Sequence, residues 1–178
     1  MALTSVFTGA HGTISLAVEG TPVQQGDFNA INEAYTTGVI GRVTDVEVCV
    51  QTELQEYYQI GQREVVTLSP GNVHVSGKIG RAYINGALLF LLLDRGATQD
   101  GLPTVQPRFA LNVQLQNPHI PNNRLQLNIS GVKLENWGFN LPQNTFVIEQ
   151  ATFKAVHITV LDVEDNNNIT VAFPAEGA

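Results

Sequence analysis

The sequence predicts a mainly β domain of sandwich or barrel-like form, with one α-helix and long loops. Three observations support this prediction: apolar and polar residues alternate with a period of two over most of the chain, one stretch departs from that period, and long connections separate the alternating segments. With 178 residues, 43% of them hydrophobic, the chain can bury one core of ordinary size. No repeat or linker divides the sequence, so we expect a single domain over residues 1–178.

Six segments carry the alternation. In chain order, the predicted strand regions are Val39–Gln51, Glu64–Ile79, Phe109–Gln116, Leu125–Leu134, Phe146–Val163 and Ile169–Phe173. Pro70 cannot donate a hydrogen bond to a strand ladder, so it predicts a turn or bulge inside the second region. The fifth region is long enough for two strands or for one strongly bent strand. The polar run that precedes the last region predicts a hairpin.

One segment, Arg81–Leu93, breaks the period of two because its residues are almost continuously apolar. This pattern predicts a buried helix of about three turns. Its buried side chains are predicted to include Ala82, Leu89 and Leu93. The apolar part of this segment is far shorter than the roughly 20 residues that a membrane-spanning helix needs, so no membrane segment is predicted.

Three long connections remain: Glu19–Gly38, Thr52–Gln62 and Asp94–Pro107. Connections of this length inside a compact domain are usually functional or disordered. The second one is rich in apolar and aromatic side chains. Two interpretations stay open for it: a short helix that packs on its own domain, or a surface that contacts another protein.

Composition excludes several classes of function. The chain has 9 basic and 16 acidic residues, a net charge of −7, and 28 side-chain amides from 15 Asn and 13 Gln. So few cations argue against tight binding to a phosphate backbone. The four histidines and the single cysteine, Cys49, show no metal-ligand spacing, and no nucleotide-binding or nucleophile motif occurs. We therefore predict no catalytic residue, no cofactor and no metal, hence a protein that is not an enzyme. A sugar-binding sandwich is disfavoured because one Trp and four Tyr form no obvious aromatic platform.

Compartment signals are few. The N-terminal stretch has no Lys or Arg and no unbroken apolar run, so it does not indicate a secretory signal. Cys49 lies in an apolar alternating segment, which predicts a buried or half-buried side chain. From these features we expect a chain that is synthesised and folded in cytosol.

Two stretches carry recognisable motifs. The first is EYYQIG at residues 56–61, followed by PGNVHVSGKIGRAYINGALLFLLL: an alternating strand, a Ser-Gly turn and an Arg-Ala-Tyr-Ile-Asn-Gly helix start. The second is GVKLENWGFNLPQNTFVIEQATFKAVHITVLDV at residues 131–163. Together they cover roughly half of the chain. They resemble the central block and the closing strands of bacteriophage tail tube proteins.

The resemblance implies a subunit that closes into hexameric rings, which stack into a hollow tube with a continuous inner barrel and the helix outside. It implies that DNA passes through the lumen without specific binding. The implied partners are other copies of the chain together with sheath, tape-measure and baseplate proteins. The implied location is the virion tail, assembled in the cytoplasm of the bacterial host. A type VI secretion tube or a tailocin-like contractile particle is the alternative.

Alternation and the resemblance together select candidate site residues. Asp45, Glu47 and Gln51 lie on the polar face of the first long strand and are the lumen-facing candidates. Lys78 is expected to face the same way from the next strand. In the family the loop after the first long inner strand commonly contacts the next ring. The ring-stacking candidates in that loop are Leu54, Glu56, Tyr57, Tyr58 and Ile60.

Overall fold

The computed structural model describes residues 7–19, 43–82, 86–93, 108–117, 123–164 and 167–173. The elements in these ranges are β1 (Gly12–Glu19), β2 (Val43–Tyr58), β3 (Val65–Ala82), α1 (Ala87–Leu93), β4 (Arg108–Gln116), β5 (Asn123–Asn140), β6 (Ile148–Ala155), β7 (His157–Glu164) and β8 (Asn167–Phe173). The predicted mainly β fold with one helix is confirmed. Apart from Glu19, the predicted loops Glu19–Gly38 and Asp94–Pro107 lie outside the described residues.

The strands form two antiparallel sheets that share β5. The first sheet has the order β1-β4-β5-β7-β8, and the second has the order β5-β6-β3-β2. Strand β5 pairs with β4 as far as Val132, and from Lys133 onwards it pairs with β6. Strands β6 and β7 follow one another with a break at Val156, so the predicted two-strand form of this region is confirmed. The predicted final hairpin is confirmed as β7 and β8.

Gly131 forms the corner at which β5 passes from the first sheet to the second. Its φ is +65°, in the left-handed region. A Cβ at this position would lie 2.9 Å from the Cβ of Val156, at the break between β6 and β7. The Gly131 amide donates a 2.6 Å hydrogen bond to the Glu19 carboxylate, and the Val156 amide donates to the Ser130 carbonyl. The corner therefore requires a residue without a side chain.

Gly131→Ala is expected to lower the free energy of unfolding by about 1–3 kcal/mol, because alanine is strained at positive φ and also meets Val156. Urea denaturation measures the change. Gly138→Ala is the matched control, since a Cβ there has nothing within 4 Å and alanine suits a strand interior better than glycine. Equal stability changes in the two variants would contradict this account of the corner.

The core lies between the two sheets and is closed by α1. Its largest fully buried apolar side chains come from several strands and from the helix: Phe109, Phe153, Ile79, Leu88, Leu111, Ile129 and Val132. Ala87, Leu88 and Leu91 form the buried side of α1. The helix is thus shorter than predicted and uses a different face.

The helix prediction needs three corrections. Arg81 and Ala82 end strand β3, so Ala82 is not a helical residue. Leu89 is only half-buried, and Leu93 is 62% exposed. The error arose because a continuous apolar run fits a buried strand end as well as a helix, and periodicity alone does not separate the two.

A charged pair is buried beside this core. Arg81 on β3 and Glu149 on β6 are directly opposite each other, and they are 2% and 0% exposed. The Arg81 Nε donates to one Glu149 carboxylate oxygen, and the Trp137 indole N–H donates to the other at 2.7 Å. Both carboxylate oxygens are therefore satisfied, as a buried charge requires.

Candidate functional site

The distal half of the β2–β3 hairpin extends beyond the core. We call residues 52–70 the hairpin arm; every residue in it is exposed. The predicted loop Thr52–Gln62 is wrong in its first part, because β2 continues to Tyr58 and only a short turn follows. The short-helix interpretation of this segment is also wrong. The register shift beside the Leu54–Pro70 pair confirms the bulge that Pro70 predicted.

The hairpin arm exposes large apolar side chains that have no cover from the described part of the chain. Ile60 at the tip is 103% exposed and Tyr57 is 61% exposed; Leu54, Tyr58 and Leu68 are also exposed. Such a concentration of apolar and aromatic surface is typical of a contact with another protein. The predicted stacking residues are therefore together on one projecting element.

Glu56, the remaining stacking candidate, lies beside Tyr58 on the arm. Its carboxylate accepts a hydrogen bond from the Tyr58 hydroxyl. This hydrogen bond, with smaller effects of desolvation and of the Glu56 charge, raises the pKa of Tyr58 above its ordinary value. Tyr58 therefore stays protonated at neutral pH.

A second exposed apolar cluster lies on the β5–β6 hairpin. It consists of Phe139, Leu141, Phe146 and Ile148, of which Phe146 is 86% and Leu141 71% exposed. The pairing of β3 with β6 runs from Val75–Ala155 at one end to Ala82–Ile148 at the other. The hairpin arm extends beyond the first of these ends and the β5–β6 hairpin beyond the second. The two apolar clusters therefore lie at opposite ends of the second sheet.

The second sheet has one face on the core and one polar face turned away from it. We call the latter the polar face. Asp45, Glu47 and Gln51 are exposed on it, and they pair across the strands with Gly80, Lys78 and His74. Strands β5 and β6 add Lys133, Asn136, Gln150, Thr152 and Lys154 to the same face. The three lumen-facing candidates and Lys78 thus share one exposed face, as the alternation predicts.

Cys49 lies on the polar face as well, and its side chain is exposed. The prediction of a buried or half-buried cysteine is therefore wrong. The alternating apolar neighbours Val48 and Val50 occupy the other face of β2, so position in the alternation, rather than the apolar character of the segment, determines the exposure of Cys49.

Charges on the polar face are mostly paired. Lys78 Nζ lies 3.0 Å from a Glu47 carboxylate oxygen, Lys154 Nζ lies 2.7 Å from Glu135, and His74 Nε2 lies 3.1 Å from Glu53. Among the described residues this face carries four carboxylates (Asp45, Glu47, Glu53 and Glu135) and three lysines (Lys78, Lys133 and Lys154), hence a net charge of −1 with neutral histidine. The polar face is therefore close to neutral rather than strongly acidic.

The Glu47–Lys78 pair raises the pKa of the Lys78 ammonium, first through the hydrogen bond and then through the Glu47 charge, with a smaller contribution from Asp45. Because the folded-state pKa of Lys78 is raised, the lysine's contribution to any stabilisation is complete at neutral pH and is lost as the pH rises through that raised pKa. The pair therefore persists under physiological conditions.

In the described part of the chain, each outer strand of the second sheet has one neighbouring strand: β2 pairs with β3, and residues 133–140 of β5 pair with β6. Unpaired edges offer backbone groups to a further strand. In the described ranges no helix is long and apolar enough to cross a membrane, and no group of His, Cys, Asp or Glu could hold a metal ion.

Comparison with solved structures shows the fold of tail tube proteins, as the sequence motifs indicated. A chain of the anti-feeding prophage tube-terminating cap is 12% identical, with a TM-score of 0.60 and coverage of 92% of this chain and 95% of that one. A chain of the PVC sheath–tube complex of an extracellular contractile injection system is 12% identical (TM-score 0.57, coverage 91% and 95%). The SPP1 tail tube protein is 12% identical (TM-score 0.52, coverage 90% and 82%). No protein-family model and no curated protein matches the chain.

Proposed function

We propose that this chain is a structural subunit that assembles into stacked hexameric rings and forms the hollow conduit of a phage tail. The second sheet carries the proposal. Its core face packs against the first sheet, its other face is polar and exposed, and among the described strands its two outer strands, β2 and the second half of β5, each have one neighbour. A sheet of this kind can continue from one copy to the next. A closed ring then removes every open edge.

The polar face is the inner wall in this arrangement. The first sheet and the core occupy the other side of the second sheet, so a barrel built from second sheets must carry the first sheets outside. Asp45, Glu47 and Gln51 then line the lumen. The charges on this wall are paired and cations are not in excess, so the wall does not attract a phosphate backbone electrostatically. DNA can therefore pass without specific binding.

We assign the contact between stacked rings to the two exposed apolar clusters, one on the hairpin arm and one on the β5–β6 hairpin. Because the hairpin arm and the β5–β6 hairpin lie at opposite ends of the second sheet, the arm of one ring can contact the β5–β6 hairpin of the next. A contact between two different surfaces of identical subunits does not close on itself along the axis and therefore extends into a filament.

Sheath, tape-measure and baseplate proteins are the further partners of this proposal, and the virion tail is the location. The PVC chain belongs to a sheath–tube complex, which supports a tube that carries a sheath. A tube of a type VI system or of a tailocin-like contractile particle is the second candidate. It is favoured by the similarity to contractile injection systems and by a near-neutral wall that also suits protein cargo.

Changing Tyr57→Asp together with Ile60→Asp is expected to abolish tubes and leave single rings, because charges at the arm tip cannot be desolvated in an apolar contact. Negative-stain electron microscopy and sedimentation velocity distinguish rings from tubes. Gln62→Asp is the matched control, since it adds a carboxylate to the same tip without removing an apolar side chain. Tubes of normal length from the double variant would contradict the stacking assignment.

A further inference from the structure

We propose that the hairpin arm turns about a hinge at its base, and that an ion pair between Glu53 and His74, which we call the latch, holds its direction when His74 is protonated. The hinge and the latch are properties of the single chain. Their consequence for the stacking of rings rests on the proposed function.

The hairpin arm is a two-stranded ribbon. Within the described part of the chain, β2 pairs with β3 alone, and β3 pairs with β6 only from Val75 to Ala82. From the row of Gln51 and His74 to the tip, the described part of the chain therefore places no third strand beside the ribbon. A two-stranded hairpin without such support is only marginally stable in water, so the direction of the arm depends on its base.

The base of the arm contains a point at which the ladder is interrupted. The register of β2 and β3 shifts between Thr52 and Leu54, where Pro70 is the partner of Leu54. A bulge of this kind bends the strand locally. Pro70 has no amide hydrogen to donate to the ladder, and Gly71 follows it with the backbone freedom of glycine. The ribbon is therefore expected to bend here, between the second sheet and the arm.

The latch spans this hinge. Glu53 belongs to the arm, and a Glu53 carboxylate oxygen lies 3.1 Å from the Nε2 atom of His74. His74 lies outside the arm, directly before the segment in which β3 pairs with β6. The Glu53 side chain passes over Gly71, where a Cβ would lie 3.3 Å from the Glu53 Cβ. The contact therefore joins the arm to the second sheet, and glycine at position 71 leaves room for it.

Protonation of His74 strengthens the latch. Histidine ordinarily changes charge between about pH 5 and pH 8, a range in which carboxylates are normally ionised. A neutral His74 offers Glu53 an ordinary hydrogen bond, whereas a protonated His74 offers a charge-assisted one. The latched direction is therefore favoured as the pH falls through this range. Because the two side chains are 59% and 50% exposed, water screens the attraction and the effect is modest.

The charged groups around His74 identify Glu53 as its partner. From β2, Glu53 is the carboxylate that faces His74. The next row of the polar face adds the Cys49 thiol from β2 and the Lys154 ammonium from β6. Lys154 is already paired, because its Nζ lies 2.7 Å from a carboxylate oxygen of Glu135. A proton on His74 therefore acts mainly on its contact with Glu53.

In the proposed tube, the direction of the arm determines whether its apolar side chains meet the β5–β6 hairpin of the next ring. An arm that is held in one direction before contact loses less conformational freedom when it binds. The latch would therefore prepare the arm for stacking.

Pulsed electron paramagnetic resonance can measure the direction of the arm in the full chain, at a concentration at which the chain is not assembled. Spin labels at Thr67→Cys in the arm and at Gln150→Cys on β6, in a chain that also carries Cys49→Ser, report the distance between the arm and the second sheet. The latched arm gives a narrow distance distribution. Lowering the pH from about 8 to about 5.5 is expected to raise the ratio of latched to unlatched arm by about two- to fivefold.

Two variants of similar size test the latch itself. Glu53→Gln removes the charge, so we expect its distance distribution to be the same at both pH values. Lys78→Gln is the matched control, because it breaks the Glu47–Lys78 pair on the same face but outside the hinge, and it should keep the pH response.

A pH response that persists in Glu53→Gln, or that is absent from the labelled chain with Glu53 and His74 intact, would overturn this inference. Tubes could still form in either case, so the proposed function would stand. Conversely, a chain that responds to pH as expected but never assembles would overturn the proposed function and leave the latch intact.

Discussion

Glu149→Ala is expected to lower the free energy of unfolding by about 3–5 kcal/mol, the largest stability change that the structure indicates for one side chain. The change leaves the Arg81 guanidinium fully buried without its carboxylate, and it also removes the acceptor of the Trp137 indole N–H. Chemical denaturation followed by tryptophan fluorescence is a suitable measurement, because Trp137 is the only tryptophan and lies at the site.

The double variant Arg81→Met and Glu149→Leu separates the cost of losing the Arg81–Glu149 ion pair from the loss of packing. Replacing both residues with apolar residues of similar size removes the buried guanidinium together with its carboxylate, so we expect this variant to recover most of the lost stability. A double variant no more stable than Glu149→Ala would show that the site depends on the ion pair itself. A stability loss below about 1 kcal/mol for Glu149→Ala would contradict the buried pair.

The second large effect concerns the proposed inner wall. Gln150→Lys with Thr152→Lys adds two cations per copy to the polar face on β6, an inner strand of the second sheet that lies between β3 and β5. Tubes assembled from this variant in the presence of short duplex DNA are expected to retain the DNA. Counterion release makes such binding strongly dependent on salt, so raising the salt from about 50 to 200 mM should weaken it by about 10³-fold or more.

A nuclease separates binding inside the tube from binding outside. DNA held in the lumen should resist digestion. The matched variant Gln114→Lys with Gln126→Lys adds the same charge to the outward face of the first sheet, where those two residues are directly opposite each other. DNA bound by that variant should remain sensitive to the nuclease. Equal sensitivity in both variants would contradict the assignment of the polar face to the lumen.

Much of the fold could be predicted from alternation, because a strand with one buried face repeats every two residues. Val46 and Val48 alternate with Asp45 and Glu47, and the structure places the valines against the core. The same rule fails where a strand changes its partners. The left-handed Gly131 and the irregularity at Glu135 interrupt the alternation of inward and outward side chains along β5. The continuation of this strand to Asn140 was therefore not predicted.

Other features were missed for different physical reasons. Strand β1 alternates, with Ile14 and Leu16 packed against the core, and it was missed although it is as long as β6 and β7. The first half of the hairpin arm, residues 52–62, has no covered face in the described part of the chain, so its sequence does not show the alternation of a half-buried strand. The location of the arm beyond the core is a tertiary property that local sequence does not encode.

The buried ion pair leaves only a partial signal in the sequence. Arg81 lies on the same face of β3 as the buried Ile79. Glu149 lies on the same face of β6 as the buried Ala151 and Phe153. Opposite charges at the inward positions of two strands indicate a buried pair once those strands are known to be neighbours. That pairing, and with it the site, becomes visible only in the structure.

Electron microscopy of the purified chain at high concentration is the most direct test of self-assembly into a hollow tube. We expect rings with sixfold symmetry and hollow filaments built from them, with the hairpin arm between successive rings and the polar face toward the axis. A protein that stays monomeric at high concentration, or filaments without a central channel, would contradict it.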